Sequence, residues 1–261
     1  MVRKNNALLA AGFGTTHLDA LEKSIVPVEQ DLAAAFPGWG FARAFTSPTV
    51  RRRLGERGVA VESADAALAR LAEEGVERCV VQPTLVIPGE EYDRLREAVE
   101  HMEGRMRIAL GEPLLRREAD WPELARVLRR EYPIAEDTAL VAVGHGAGRR
   151  SNGLYQAMAE ELARQEGPVL RLATVEGTPS FADVVSELEK LPMRRALLVP
   201  LMLAAGDHVK NDMAGPGPES LRSLLEAAGF AVDCALRGLG ELPQIRAMYV
   251  RRALTAGEGL A

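Results

Sequence analysis

Hydrophobic positions along this chain fall into two alternating textures. Short continuous apolar runs end at glycine or proline, and between them lie stretches whose apolar residues recur every three or four positions. The first texture is expected of parallel strands buried on both faces, the second of amphipathic helices. ALLAAGF (7–13) reads as a strand, and the stretch from Leu18 to Phe36 carries Leu21, Ile25, Val28 and Leu32 at helical spacing before stopping at Pro37-Gly38. GFARAFT (40–46) reads as a second strand. SADAALARLAEEG (63–75) reads as a helix, with Ser63 as N-cap and Gly75 as terminator. VERCVVQPTLVI (76–87) and EEYDRLREAVEHMEGRM (90–106) continue the alternation as strand and helix.

The same order then recurs. ALVAVGHG (139–146) is a strand, GLYQAMAEELARQ (153–165) a helix, VLRLATVE (169–176) a strand, FADVVSELEKL (181–191) a helix and RALLVPLML (195–203) a strand. A helix over LRSLLEAAG (221–229), a strand around FAVDCAL (230–236) and a helix over 242–253 complete it. This βαβα pattern predicts an α/β protein of two similar doubly wound lobes, each a parallel sheet flanked by helices, facing across a cleft. The join falls within 112–138, giving lobes of 1–130 and 131–261.

The halves also match in detail. ALLAAGFG (7–14) parallels ALVAVGHG (139–146), setting Phe13 against His145. QPTLVIPGEEYD (82–93) parallels VPLMLAAGDHVK (199–210), setting Glu91 against His208, and RAFTSP (43–48) parallels ATVEGTP (173–179), setting Phe45 roughly opposite Glu176. Ligands of doubly wound sheets bind beyond the carboxyl ends of the strands, where His145, Glu176 and His208 are expected. Two imidazoles and a carboxylate suit a borderline divalent ion such as Co²⁺, Fe²⁺, Ni²⁺ or Zn²⁺. His17 follows the first glycine loop and is a weaker candidate for the cleft wall, whereas His101 reads as a solvated helix residue.

Composition narrows the choices. The 261 residues carry a net charge of −5 and 5% aromatics, which gives no general attraction to nucleic acid and few stacking platforms. The longest apolar run, ALLVPLMLAAG (196–206), is shorter than the ~20 residues that span a bilayer, and the N-terminal segment lacks the form of a signal peptide. Cys79 and Cys234 form no CxxC pair, so reduced thiols and a cytoplasmic location are expected. Neither GFGTTH nor GHGAGRRSN fits a phosphate-loop fingerprint. No organic cofactor is expected. Arg149, Arg150 and Lys210 flank the candidate ligands and are suited to attract a polycarboxylate.

Several segments together resemble the anaerobic sirohydrochlorin cobaltochelatases, the two-lobed class II chelatases. They are GFGTT (12–16), RAFTS (43–47), QPTLVIPGEEYD (82–93), VGHGAG (143–148), TVEGTPS (174–180) and PLMLAAGDHVKNDMAG (200–215), the last long and idiosyncratic. The resemblance implies insertion of Co²⁺ into sirohydrochlorin in cobalamin or related tetrapyrrole synthesis, with the metal as substrate. It carries the metal ligands onto His145, Glu176 and His208. Members of that family often have a histidine before IPGEEY, where this chain has Leu85-Val86. Metal insertion requires two pyrrole protons to leave, so His145 and Glu90 or Glu91 are expected as proton acceptors. Phe13, Gly14, Thr15, Arg149 and Lys210 are the expected contacts to the tetrapyrrole. Fe²⁺ insertion at the same type of site and a non-catalytic tetrapyrrole or metal carrier are the competing readings, and homo-oligomerisation is left open.

Overall fold

The structure is a computed structural model that describes residues 5–146 and 149–260, with only the backbone described for 149–152. The first half of the chain forms β1 (Asn6–Gly12), α1 (Leu18–Ala20), α2 (Val26–Ala35), β2 (Gly40–Phe45), α3 (Pro48–Gly55), α4 (Ala64–Glu73), β3 (Arg78–Pro83), α5 (Glu90–Glu100), β4 (Arg107–Leu110) and α6 (Trp121–Glu131). The second half forms β5 (Thr138–Gly146), α7 (Arg149–Arg164), β6 (Leu170–Glu176), α8 (Phe181–Leu188), β7 (Arg195–Leu201), α9 (Leu221–Ala227), β8 (Ala231–Cys234) and α10 (Pro243–Glu258). Two π-helical turns interrupt this pattern, Leu21–Ile25 between α1 and α2 and Val209–Met213 after β7.

The described strands make two four-stranded sheets, ordered β2-β1-β3-β4 and β6-β5-β7-β8, with every pairing parallel. The two orders are the same: the second, first, third and fourth strand of each half. Side chains alternate across each strand and sort the core into faces. Ala7, Leu9 and Ala11 of β1 pack with Ala67 and Leu68 of α4 and Leu95 of α5. Ala139, Val141 and Val143 of β5 pack in the same way with Val184 of α8 and Leu221 and Leu225 of α9. The intervening residues, Leu8 and Ala10 or Leu140 and Ala142, are equally buried. That second face is covered by α2 and α10 in the first sheet, and α7 with α6 serves the second.

Register refines the correspondence between the halves. Leu9 pairs with Val81 and Val141 with Leu198, and Glu91 and His208 each lie ten residues beyond those partners, so their alignment holds. Gly12 pairs with Phe45, whereas Gly144 pairs with Thr174 and Gly146 with Glu176. The counterpart of Phe45 is therefore Thr174, and Glu176 is matched by Ser47, which caps α3 by accepting the Val50 N–H at 3.3 Å. The rough pairing of Phe45 with Glu176 is displaced by two residues because glycine and threonine lengthen the second loop.

The chain divides into two compact units, residues 1–116 with 240–261, and residues 117–239. This differs from a boundary at 130/131 in a systematic way. Helix α6 follows the fourth strand of the first half, as α10 follows the fourth strand of the second, and each belongs to the other half's unit. The physical cause is side-chain burial: α6 buries Trp121, Leu124, Ala125 and Leu128, and α10 buries Ile245, Met248, Tyr249 and Ala253. Each large apolar side chain so buried contributes roughly 1.5–3 kcal/mol. Polar ties fix α10 in place. Tyr249 donates to the Leu85 carbonyl at 3.0 Å and Arg246 pairs with Asp31 at 2.7 Å.

Candidate metal-handling site

Strand β5 ends in Gly144-His145-Gly146, and the adjacent strand β7 leads through a short loop to His208, which opens the π-helical turn Val209–Met213. The two imidazoles meet edge to face, with ring centroids 4.4 Å apart and planes at 89°. Each ring has its Nδ1 engaged. His145 Nδ1 lies 2.9 Å from the Gly146 carbonyl oxygen, and His208 Nδ1 lies 2.8 Å from Asp212 Oδ2. A carbonyl oxygen can only accept, so His145 Nδ1 carries the proton, and an ionised carboxylate imposes the same tautomer on His208. Both Nε2 lone pairs are thereby left for a ligand, and imidazole nitrogen suits first-row divalent cations.

The two glycines explain why the strand ends this way. A side chain at Gly144 would stand 2.7 Å from Tyr155 Cε1, so its absence lets the Tyr155 ring lie across the strand. The Gly146 N–H meets the Tyr155 hydroxyl, and burial pushes that phenol up to about 12. Gly146 itself has φ +82°, a left-handed conformation that side chains disfavour, and a Cβ there would collide with the Glu176 carbonyl. The first glycine admits Tyr155 beneath the loop, and the second lets β6 close on β5.

Glu176 is the last residue of β6 and the ladder partner of Gly146. Thr174 steadies the loop beyond it, donating its hydroxyl and its N–H to the Pro179 carbonyl at 2.9 and 2.8 Å. The Glu176 side chain is exposed. Among the described residues no group of three or more His, Cys, Asp or Glu is placed to hold a metal ion. The structure thus brings His145 and His208 together and puts Glu176 on the neighbouring strand end without gathering its carboxylate to them.

The remaining expected residues separate into two groups. Lys210 lies within the turn that follows His208, and Arg149 begins α7, but its side chain lies outside the described residues, as does that of Arg150. Phe13, Gly14, Thr15, Glu90 and Glu91 belong to the first unit, again beyond strand carboxyl ends. Phe13 is exposed, Gly14 has φ +87°, and Thr15 is buried with its hydroxyl accepting the His17 N–H at 3.2 Å. Glu90 starts α5 in the open. Glu91 pairs with Arg94 at 3.0 Å through Oε1, and its Oε2 is buried without a hydrogen-bond partner among the described residues. His101 is exposed at the end of α5, 3.5 Å from Asp65.

Two residues of the site were not anticipated. Asp212 was detectable as the i+4 partner of His208 in HVKND, a spacing that aligns side chains on a helix. Tyr155 gave no such signal, because its role depends on the absence of a side chain at Gly144.

The model of the cobalt chelatase (CbiK) family matches residues 6–258. The chain is 36% identical over 247 residues to a sirohydrochlorin cobaltochelatase of Salmonella typhimurium, covering 94% of this chain and 93% of that one. It is 32% identical over 239 residues to the sirohydrochlorin cobaltochelatase CbiKC of Nitratidesulfovibrio vulgaris, covering 90% and 84%. Among solved structures, SirB from Bacillus subtilis with Fe³⁺ aligns with a TM-score of 0.65 at 15% identity, over 97% of both chains. A multi-domain chelatase-like protein from Deinococcus radiodurans aligns at 0.60 and 15% identity, over 95% of this chain and 54% of its own. These two likenesses concern the fold.

Proposed function

The chain belongs to the cobalt chelatase (CbiK) family, and from that premise we propose that it is a sirohydrochlorin cobaltochelatase, exchanging two pyrrole protons of sirohydrochlorin for Co²⁺. The observation that carries the reading to particular atoms is the edge-to-face pair of His145 and His208, 4.4 Å between centroids, with both Nδ1 atoms engaged. Two neutral imidazoles hold a hydrated cation without cancelling its charge, and they release it more readily than thiolates would. Glu176, on the adjacent strand end, is the third ligand, reaching the ion by rotation of its exposed side chain.

Proton removal needs an acceptor. His145 serves once its metal bond breaks. Glu91 is the second acceptor, its Oε1 paired with Arg94 and its Oε2 buried without a hydrogen-bond partner among the described residues. Glu90 is the alternate at the same helix start. Phe13 is the apolar face offered to the macrocycle, with Gly14 and Thr15 shaping its loop, and Arg149 and Lys210 are cationic partners for the ring's carboxylates. The exchange is redox-neutral and requires no organic cofactor. No described helix is long and apolar enough to cross a membrane. The unpaired thiols of Cys79 and Cys234 suit the reducing cytoplasm.

Anaerobic absorbance spectroscopy with sirohydrochlorin and Co²⁺, both in large excess over protein, tests the reading. Many turnovers of cobalt-ring formation, lost in His145→Ala and His208→Ala, are expected. A spectral change that stops at about one equivalent would make the protein a carrier, and full activity in both variants would remove the imidazole pair from the reaction.

A further inference from the structure

The two imidazoles are not backed alike. His145 gives its Nδ1 proton to a neutral backbone carbonyl, that of Gly146, at 2.9 Å. His208 gives its Nδ1 proton to a carboxylate, Asp212 Oδ2, at 2.8 Å. The carboxylate is held by a short, well-anchored piece of backbone. Asp212 lies in the π-helical turn Val209–Met213, whose Val209 and Met213 are fully buried in the core of the second sheet. The turn closes through the Ala214 N–H on the Val209 carbonyl at 3.2 Å and the Gly215 N–H on the Asn211 carbonyl at 3.1 Å. A side chain at Gly215 would strike the Asn211 carbonyl, so the turn can close this tightly only on glycine. Single π turns inserted in helices recur at functional sites, where the extra residue re-aims a side chain.

A partner on the far nitrogen of a liganding imidazole fixes its tautomer and orientation and strengthens its donation to the metal, and a charged acceptor does so more than a neutral one. Resting on the proposed chelatase reading, we propose that Asp212 is a positioning residue for Co²⁺. It holds His208 as the stronger and longer-retained imidazole ligand, leaving carbonyl-backed His145 as the ligand that releases first when the ion passes to the ring. The division of labour follows from chemistry. An insertion site must hold the cation against water and then surrender it, and unequal ligands allow it to be surrendered stepwise.

The test is anaerobic titration of the whole protein with Co²⁺ alone, followed by its visible ligand-field spectrum, beside steady-state kinetics with each substrate varied. Asp212→Ala is expected to weaken Co²⁺ binding about 10–100-fold, the range found when such outer partners of metal ligands are removed. The KM for Co²⁺ should rise with it, and the KM for sirohydrochlorin should not. Asp212→Asn, which still accepts a hydrogen bond but lacks the charge, should recover part of the loss, which a merely structural role would not predict. His208→Ala should weaken Co²⁺ binding more than His145→Ala. Unchanged Co²⁺ affinity in Asp212→Ala, with binding lost in His208→Ala, would overturn the role of Asp212 and leave the chelatase site standing. Unchanged affinity in His208→Ala would overturn both.

Discussion

Gly146 and Glu176 are ladder partners at the carboxyl ends of β5 and β6, and the Gly146 α-carbon lies so near the Glu176 carbonyl that no side chain fits between them. Gly146→Ala therefore meets two penalties, the φ of +82° and the collision. Gly58, at φ +80° with open space around it, meets only the first. Gly58→Ala should cost about 1–2 kcal/mol of unfolding free energy. Gly146→Ala should cost more than that and suppress metal insertion as well, because the strand end bearing Glu176 must move. Denaturant melts of both variants, with turnover measured at a temperature where each remains folded, decide it. Equal costs would mean that the close approach is without energetic consequence.

Phe13 occupies the position in the first unit that His145 occupies in the second, and it is 49% exposed. Truncating so exposed a side chain should change stability by no more than about 0.5 kcal/mol. If it faces the macrocycle, Phe13→Ala should raise the KM for sirohydrochlorin several-fold and leave Co²⁺ affinity at the wild-type value. Unaltered steady-state kinetics would remove Phe13 from the substrate surface.

Burial holds the Tyr155 phenol at about 12 against an ordinary value near 10.0. The proton is thus bound more tightly in the folded chain than in the unfolded one. Its contribution to stability is complete below pH 10 and declines as the pH rises from 10 towards 12. Tyr155→Phe has no such proton, so the stability difference between wild type and variant should narrow across that window, by up to about 2–3 kcal/mol. Urea melts at pH 9 and pH 11 measure it, and a pH-independent difference would contradict the burial of the phenol.

The two thiols should differ in reactivity. Cys79 is fully buried on β3, and burial pushes its thiol up to about 12, whereas half-buried Cys234 on β8 is raised less far. Thiolate is the reactive form, so iodoacetamide at pH 8 should label Cys234 slowly and Cys79 only after unfolding. Peptide mapping by mass spectrometry gives the order. Rapid native labelling of Cys79 would show that β3 opens.

Much of this architecture could be read from the chain, and the exceptions share a cause. Continuous apolar runs such as ALVAVG located the inner strands because a strand covered on both faces has no polar position to spare. Helix α3 went unread, since Pro48–Gly55 buries only Val50 and Leu54 and leaves no long periodic stripe. The stripe on α10 announced a buried face, but a stripe does not say which sheet will cover it. The site divides along the same line. The imidazoles were visible as residue types at repeated strand ends, and so was Glu176. The i+4 spacing of His208 and Asp212 marks that pair too, whereas the contact of Tyr155 with the Gly-His-Gly turn is one that spacing does not specify. The offset between Phe45 and Glu176 came from loop lengths, which strand patterns do not record.

The exchanged helices bear on how the chain acquires its structure in time. The first sheet is closed by α10 and the residues flanking it, which follow the whole of the second sheet in sequence, through ties such as Ser24 to Glu241 and Arg78 to the Leu260 carbonyl, 217 and 182 residues apart in sequence. The second sheet already holds α6 by the time its strands exist. Synthesis order and completion order are therefore reversed. The half made first is finished last, and until then one face of β3 and β4 stays open to solvent, to chaperones or to another unfinished chain.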